Sequence, residues 1–191
     1  TGEGTEWGSL HPCCLSGSAR FFKPAYSIFL IKKWLPSIKD AVATLTRGGS
    51  FADIGCGFGH STTMIAEQFP RSSIRGIDPH EQSIHEARKM AEQKNLNNLT
   101  YEIASAENYT GEYDIISFFD CLHDMGDPVA AVSYAKTKLK CEKDIKKILH
   151  LTKTKFMIFR FFTIYGPLGR PDMFIHKLLN SIKKNQKIHL Y

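Results

Sequence analysis

Apolar residues follow a helical spacing in the first quarter of the chain and a strand-like pattern after it. Over residues 21–45 the apolar positions recur every three to four residues, as on an amphipathic helix. Pro36 interrupts this run and Arg47–Gly48–Gly49 ends it, so two helices are predicted. Residues 1–18 are rich in Gly and Ser and are predicted to be irregular chain.

Beyond Gly49, short apolar strands alternate with helical segments, which is typical of an open α/β sheet. Segment 114–119 (DIISFF) is almost wholly apolar, which predicts a central strand covered on both faces. The fold class is therefore predicted to be α/β: a Rossmann-like, doubly wound, mostly parallel sheet with an N-terminal helical cover, whose ligand lies outside the carboxyl ends of the strands. The predicted strands are 50–54, 73–77, 100–104, 114–119 and 154–162, and the predicted helices that follow the first strand are 61–69, 83–95, 128–149 and 173–184.

Composition narrows the class of protein. The chain has 191 residues, 42% of them hydrophobic and 23% charged, as in ordinary globular domains. The longest apolar stretch, at 26–31, is too short to cross a bilayer. The first residues show neither an initiator Met nor a leader pattern, so the chain is interpreted as a piece of a longer protein.

The cysteines indicate a reducing compartment. Their number is odd, five, and none forms a CxxC pair, which favours reduced thiols in a cytoplasmic protein over a disulfide or metal framework. A metal site at His11, Cys13 and Cys14 is the alternative, but adjacent cysteines rarely reach one tetrahedral ion. No metal is expected.

The charge balance changes along the chain. Residues 1–132 hold 11 Lys/Arg against 16 Asp/Glu, whereas residues 133–191 hold 14 against 3. A basic tail can bind nucleic acid or an anionic membrane. The lysines here fall on predicted amphipathic helices without interleaved aromatics, which favours a solvated face, so neither partner is expected.

The sequence ADIGCGFGHS at 52–61 predicts a ligand-binding turn. Its glycines, at Gly55, Gly57 and Gly59, have GxGxG spacing rather than the GxGxxG spacing of a dinucleotide loop. Asp53 precedes the loop, and a fixed anion there would oppose a pyrophosphate but suit the ammonium and sulfonium of S-adenosylmethionine (SAM). Asp78, 19 residues after Gly59, can accept from ribose hydroxyls in either ligand class and so does not discriminate between them.

Residues from about 6 to 132 resemble class I SAM-dependent methyltransferases, closest to a bacterial-type branch whose members carry an N-terminal winged-helix dimerisation domain. The segments that carry the resemblance are EWGSLHPCC, RFFKPAYSIFLIKKWLPSI, FADIGCGFGHST, RGIDPHEQSI and YDIISFFDCLHDMGDP. The resemblance implies SAM as cofactor, a small-molecule methyl acceptor and a substrate pocket covered by the helices of 21–45.

The resemblance also implies roles for individual residues. The glycine loop, with Cys56, would hold the methionine part of SAM. Asp78, followed by Pro79, would hold the ribose. Ala106 and Glu107 would flank the adenine, and Phe119 and Asp120 would face the cofactor near its methyl group.

Three residues of the predicted site, Asp53, Glu107 and His123, have alternative interpretations. Asp53 could cap the turn that follows it, and Glu107 could be an exposed loop acid. His123 could be a general base toward the acceptor, although a structural histidine is favoured. Methyl transfer from an activated sulfonium can be driven by positioning and desolvation, so no universal catalytic residue is required.

The tail resembles a different family. Residues 133–191, with SYAKTKLKCEKDIKKI and TKFMIFRFFTIYGPLGRPDMFIHKLL, are similar to extended short-chain dehydrogenase/reductases of the UDP-glucuronate 4-epimerase type. Tyr134 and Lys138 match that family's YxxxK pair and share a helix face. The chain lacks a TGxxGxxG nucleotide loop and the Ser/Thr segment that completes the catalytic set, so this pair is not expected to be catalytic.

The chain is therefore interpreted as a mosaic: 1–47 a helical cover, 48–132 a SAM-binding α/β domain, and 133–191 an epimerase-like segment that completes the sheet. The first functional hypothesis is a SAM-dependent methyltransferase, with activity that the foreign segment could impair. The alternatives are an NAD-dependent sugar-nucleotide epimerase fragment and a non-catalytic chimeric scaffold.

Overall fold

A parallel β-sheet forms the centre of the protein, seen in a computed structural model that describes residues 7–139. Its four strands run in the order β3-β2-β1-β4, and each neighbouring pair is parallel. The sheet confirms the predicted Rossmann-like α/β class. The strands are β1 (Ser50–Ile54), β2 (Ser73–Asp78), β3 (Leu99–Ile103) and β4 (Ile115–Ser117).

Helices connect these strands in the predicted alternation. Helix α4 joins β1 to β2, and α5 joins β2 to β3; both begin and end within two residues of the predicted bounds. The helices of the described chain are α1 (Pro12–Ala25), a π-helix (Tyr26–Trp34), α2 (Leu35–Ser37), α3 (Ala41–Thr46), α4 (His60–Gln68), α5 (Glu81–Gln93) and α6 (Pro128–Lys138), with 3-10 turns at Trp7–Ser9 and Leu122–Asp124.

Side chains on the two faces of β1 pack into separate cores. Phe51 belongs to a cluster with Ile65 of α4 and Ile84 of α5, whereas Ala52 and Ile54 pack in a second cluster with residues such as Tyr109. This division follows from the two-residue period of a strand, which sends successive side chains to opposite faces. Both faces of β1 are covered, so its carboxyl end, where the glycine loop begins, is held rigidly.

The N-terminal cover begins earlier than predicted. Helix α1 starts at Pro12, so the expectation of irregular chain across 1–18 is wrong from that residue on. The reason is a local cap: the ring nitrogen Nδ1 of His11 accepts from the backbone N–H of Cys13 at 3.2 Å, and Pro12 fits the first helical position without losing a hydrogen bond. His11 is thus a helix cap.

The middle of the cover is a π-helix, not the α-helix that the apolar spacing predicted. Its hydrogen bonds run from i to i+5, which widens the turn. Tyr26, Leu30 and Leu35 are buried at these wider intervals, whereas Ile28 faces outward with 57% of its surface exposed. Pro36 lies inside the short helix α2, which ends one residue later, as a proline-induced break predicts.

The structure corrects two predictions near the end of the described chain. Strand β4 is shorter than 114–119, its residues are partly buried, and it pairs with β1 as the last in the order of the four described strands. Helix α6 ends at Lys138 instead of 149, because Leu139 is extended and forms a parallel bridge to Tyr113. The predicted elements at 154–162 and 173–184 lie outside the described residues.

Candidate functional site

The glycine loop between β1 and α4 adopts a conformation that side chains rarely tolerate. Gly55, Gly57 and Gly59 have φ angles of +71°, +51° and +72°. A Cβ atom on Gly59 would collide with the hydroxyl of Tyr101, and one on Gly55 would lie 2.6 Å from the Sγ of Cys121. Around Gly57, by contrast, no atom of a non-adjacent described residue lies within 4 Å of the Cβ position. The outer glycines permit close packing, and the middle one leaves open backbone where a ligand can approach.

Asp53 lies behind this loop, fully buried. Its Oδ2 accepts from the hydroxyls of Ser61 at 2.6 Å and Thr62 at 2.8 Å, and its Oδ1 accepts from Ser117 at 2.9 Å. Burial raises the pKa of Asp53 to about 6, although the three hydroxyl bonds oppose the shift. The carboxylate is therefore turned into the protein, and its influence on a ligand acts through space rather than by contact.

The three hydroxyl groups around Asp53 were not anticipated from the sequence. Ser61 and Thr62 belong to the first turn of α4, and Ser117 is the last residue of β4. The adjacent hydroxyls in GHST were a usable signal for the first two, because an acid at the end of a strand faces the helix that follows its loop. Ser117 had no such signal, since it is 64 residues away from Asp53.

Asp78 ends β2 and ties the loop to the sheet. Its Oδ2 accepts from the backbone N–H of Gly57 at 2.8 Å, and its Oδ1 accepts from that of His80 at 2.9 Å. Burial raises the pKa of Asp78, while the two backbone bonds oppose the shift. Each oxygen retains a lone pair, so the carboxylate can still accept from a ligand hydroxyl. Pro79, beside it, is exposed.

Asp120 lies at the mouth of the loop. Its φ angle of +51° is unusual for a residue with a side chain. Its Oδ2 accepts from the hydroxyl of Tyr26 at 3.1 Å, and the next residue, Cys121, donates its thiol to the carbonyl of Ile54 at 3.0 Å. Burial raises the pKa of Asp120, and the Tyr26 bond and the charge of His123 oppose the rise.

An aromatic cluster from the cover packs over the same end of the sheet. The ring of Tyr26 lies 6.0 Å from that of Trp34 and 5.9 Å from that of Phe119, and Trp34 and Phe119 stack at 6.3 Å. Tyr26 is 8% exposed, and burial together with the negative charges of Asp120 and Asp53 raises its pKa well above the usual tyrosine range. Sequence reasoning missed Tyr26, although it is the only hydroxyl-bearing aromatic in the segment FFKPAYSIF.

His60 begins α4 beside the loop, and its surroundings favour the neutral form of its ring. Burial lowers the pKa of His60, the first residue of that helix, and the nearby positive charge of Lys23 lowers it further. The amino terminus of α4 adds a partial positive charge of its own. The loop is thus surrounded by groups of both signs.

The remaining predicted residues occupy less enclosed positions. Ala106 is partly buried against the second core cluster, and Glu107 is exposed. Cys56 is buried. His123 is about half exposed, with its Nε2 lying 3.4 Å from the Oδ1 of Asp124. Its charge acts on Asp120 at the mouth of the site, and among residues 7–139 the acid beside its ring is Asp124, which is also about half exposed.

The YxxxK pair has a structural use. The hydroxyl of Tyr134 donates to the carbonyl of Tyr109 at 2.9 Å, and the two rings pack edge to face at 5.2 Å. The Nζ of Lys138 lies 4.9 Å from the centre of the Tyr134 ring. The pair shares a helix face as predicted, and its hydroxyl is engaged in packing α6 onto the sheet.

Within 7–139, no group of three His, Cys, Asp or Glu side chains is arranged to hold a metal ion. No helix in that part of the chain is both long and apolar enough to cross a membrane.

Comparison with known proteins shows the family of this chain. The family described as "Methyltransferase domain" matches residues 45–164, more than half of the chain. Ubiquinone biosynthesis O-methyltransferase from Acinetobacter baylyi is 27% identical over 126 residues, which are 62% of this chain and 50% of the relative. A protein described as a "putative s-adenosyl-l-methionine-dependent methyltransferase", from Methanococcus maripaludis, shares the fold, with a TM-score of 0.52 and 22% identity over 72% of this chain and 62% of that one.

A second curated relative has a different activity in its name. A probable UDP-glucuronate 4-epimerase from Rhizobium meliloti is 36% identical over 89 residues, which are 47% of this chain and 25% of the relative. The chain thus spans a quarter to a half of the length of these two curated relatives.

Proposed function

The chain belongs to the family of methyltransferase domains, and on that premise we propose that it binds SAM at the glycine loop of residues 55–59 and transfers the cofactor's methyl group to a small-molecule acceptor. The family match covers the loop, both strands that flank it, and Asp53, Asp78 and Asp120. The enzyme class and the cofactor agree with the expectation from the sequence.

One observation carries the choice of cofactor: three carboxylates surround a loop whose middle glycine is open to a ligand. Asp53 lies behind the loop, Asp78 holds its apex, and Asp120 lies at its mouth. A pyrophosphate would meet negative charge on each side. A ligand with an ammonium and a sulfonium would be attracted, and SAM has both and no phosphate.

The size of this preference can be estimated from Coulomb's law. Two unit charges about 7 Å apart at an effective dielectric constant of about 20 interact by roughly 2 kcal/mol. That energy corresponds to about a thirtyfold change in affinity from one buried carboxylate. Asp53 is fully buried, so solvent does not screen its charge strongly. The sign of the effect is opposite for a dinucleotide.

The residues fit the other parts of SAM as well. Lys23 and the start of α4 offer positive charge for the cofactor's carboxylate, and the neutral ring of His60 can donate a hydrogen bond to it. Asp78 retains lone pairs for the ribose hydroxyls, and Ala106 and Glu107 belong to the loop after β3, where the adenine would lie. Phe119 and Asp120 follow β4 at the mouth of the site. These assignments extend the family resemblance to individual residues.

When bound, SAM supplies a methyl group on a positively charged sulfur, which is already activated toward an incoming nucleophile. The protein's part is to orient the two reactants and exclude water. The aromatic cluster of Tyr26, Trp34 and Phe119 forms an apolar wall suited to that purpose. His123 is the candidate general base: its ring is half exposed, and its Nε2 lies 3.4 Å from the Oδ1 of Asp124.

We propose that the chain divides into the segments 1–47, 48–132 and 133–191. The last segment, the tail, is proposed to derive from an epimerase-like protein. The similarity to the Rhizobium meliloti protein supports this origin. Epimerase activity is not part of the proposal, since the Tyr134 hydroxyl is bonded to a carbonyl of the chain. The predicted boundary at 132 and 133 lies inside α6, which is continuous across it.

A cytoplasmic location is proposed on the basis of the free thiols of Cys13, Cys14, Cys56 and Cys121.

Calorimetric titration of the full chain with SAM, S-adenosylhomocysteine (SAH) and NAD tests the proposal. Saturable heat with SAM and SAH, and none with NAD, is the expected result. Binding of NAD in preference to SAM would overturn it. Mass spectrometry of the protein under native conditions adds an independent check, because a nucleoside that co-purifies is identified by its mass.

A further inference from the structure

A single hydrogen bond joins the helical cover to the mouth of the glycine loop. The Tyr26 hydroxyl, at the start of the π-helix, donates to Asp120 Oδ2 at 3.1 Å across 94 residues of sequence. Tyr26 is almost fully buried, whereas Asp120 is only partly buried. The donor therefore belongs to the protein interior, and the acceptor faces the site.

Asp120 is held in place by more than this bond. Its left-handed backbone, with φ of +51°, is a conformation that such residues adopt only where their surroundings enforce it. Cys121 anchors the next position, since its thiol donates to Ile54 and its sulfur packs against Gly55. Tyr26 restrains the side chain itself. The carboxylate is thus fixed at the first glycine of the loop.

The second oxygen of this carboxylate is the part that a ligand can use. Among residues 7–139, no group donates a hydrogen bond to Asp120 Oδ1. The aromatic rings of Tyr26, Trp34 and Phe119 surround the same region and lower its access to water. A carboxylate with one oxygen tethered and the other open, beside an apolar wall, is suited to a cationic group.

We propose that Tyr26 is a positioning residue, which aims the Asp120 carboxylate at the positively charged sulfonium of the bound cofactor. This inference rests on the proposed SAM-binding function and adds to it a residue of the cover. The tyrosine acts through the carboxylate and does not itself touch the reacting atoms. If Tyr26 only latched the cover to the sheet, the charge of the ligand would make no difference to its contribution.

The test compares SAM with SAH, which lacks the sulfonium charge. Tyr26→Phe retains the ring that packs on Trp34 and Phe119 and removes only the hydroxyl. We expect this variant to bind SAM about five- to tenfold more weakly and SAH less than twofold more weakly, by calorimetric titration of the full chain. Equal losses for the two ligands, or no loss for either, would reject the positioning role.

A double-mutant cycle separates action through Asp120 from any other effect of the hydroxyl. In an Asp120→Asn background, Tyr26→Phe is expected to change SAM affinity less than twofold, because the charge that it aims is already gone. An undiminished loss in that background would contradict the inference. Tyr134→Phe is the matched control, since it removes another tyrosine hydroxyl bonded to an acceptor of the chain, and both ligands should bind it as the wild type does.

Failure of this inference can be told apart from failure of the proposed function. If the wild-type chain binds neither SAM nor SAH, the proposed function is wrong and the cycle has no starting value. If the wild type binds both and Tyr26→Phe shows no preference between them, only the role of Tyr26 is wrong. Should Tyr26→Phe fail to fold, Asp120→Asn alone must still weaken SAM more than SAH, and an equal effect on both would reject the inference.

Discussion

The substitution Asp53→Asn tests the electrostatic origin of cofactor choice. It leaves the side chain nearly the same size but removes its charge. The carboxylate accepts three hydroxyl hydrogen bonds, two at Oδ2 and one at Oδ1. The amide of Asn offers one accepting oxygen and one donating nitrogen, so Ser61, Thr62 or Ser117 must rotate its hydroxyl to accept instead. The hydrogen-bond network of the three hydroxyls can therefore rearrange around Asn, but no group replaces the negative charge of the carboxylate.

Binding of three related ligands reports the effect of this charge. SAM carries an ammonium and a sulfonium, SAH only the ammonium, and 5′-methylthioadenosine neither. With one charge pair worth roughly 2 kcal/mol at about 7 Å, we expect SAM affinity to fall about ten- to thirtyfold in Asp53→Asn. SAH should lose less, and the neutral nucleoside should change less than twofold. Ser117→Ala is the matched control, because it removes one hydroxyl and keeps the charge.

The same variant gives a second, independent measurement through pH. The pKa of Asp53 is raised from 3.8 to about 6 in the folded protein. At a pH between these two values, the folded protein therefore keeps a proton on Asp53 that the unfolded chain has released. The stabilisation that this proton provides is complete only well below the unfolded pKa of 3.8 and is lost as pH rises through 6. At 1.36 kcal/mol for each pKa unit, the total is about 3 kcal/mol.

Chemical unfolding at several pH values isolates this contribution. The free energy of unfolding of the wild type minus that of Asp53→Asn should decrease by roughly 2 kcal/mol between pH 4 and pH 7, since part of the total is already lost at pH 4. Asp78 and Asp120, whose pKa values are also raised, are present in both proteins and largely cancel in the difference. A difference that stays constant with pH, together with equal losses for all three ligands, would refute the electrostatic argument.

Three further predictions concern the loop and the sheet behind it. Gly59→Ala should lower the free energy of unfolding by about 2 kcal/mol or more, since the φ of Gly59 is +72° and a Cβ there would collide with Tyr101. Gly126→Ala is the control, because the Cβ position of Gly126 is open, and it should change this free energy by less than about 1 kcal/mol. Urea unfolding measures both variants. Asp78→Asn should weaken SAM and SAH alike, by about tenfold or more in titration, because it disturbs the loop apex and the ribose acceptor that both ligands share; selective loss of SAM would contradict this. Tyr134→Phe should destabilise the protein by about 1 kcal/mol and leave SAM affinity unchanged, and a loss of binding would show that the pair reaches the site.

Much of the fold follows from patterns within a few residues of each other. Strand β1 has the predicted bounds, and α4 and α5 deviate by no more than two residues at either end. Apolar periodicity is a local property that tertiary contacts reinforce in a Rossmann-like sheet. The left-handed glycines were likewise readable, because only glycine adopts such backbone readily.

Elements whose ends depend on distant partners were harder to predict. The cap at His11 lets α1 begin at Pro12, inside the stretch that was predicted to be irregular. The bridge from Leu139 to Tyr113 ends α6 eleven residues before the predicted end at 149. The change to π-helical hydrogen bonding altered which apolar residues face inward, so Ile28 is exposed. Packing against the rest of the molecule decides such details.

The sequence alone determined the class of sheet, the place of the glycine loop and the residue types around it. Only the tertiary structure decided which way the carboxylates point: Asp53 inward to three hydroxyls, Asp78 to the backbone of the loop, and Asp120 to a tyrosine of the cover. The physical reason is that a strand's period assigns a side chain to a face, whereas its hydrogen-bond partners are set by whichever donors folding brings beside it, in these cases 8 to 94 residues away.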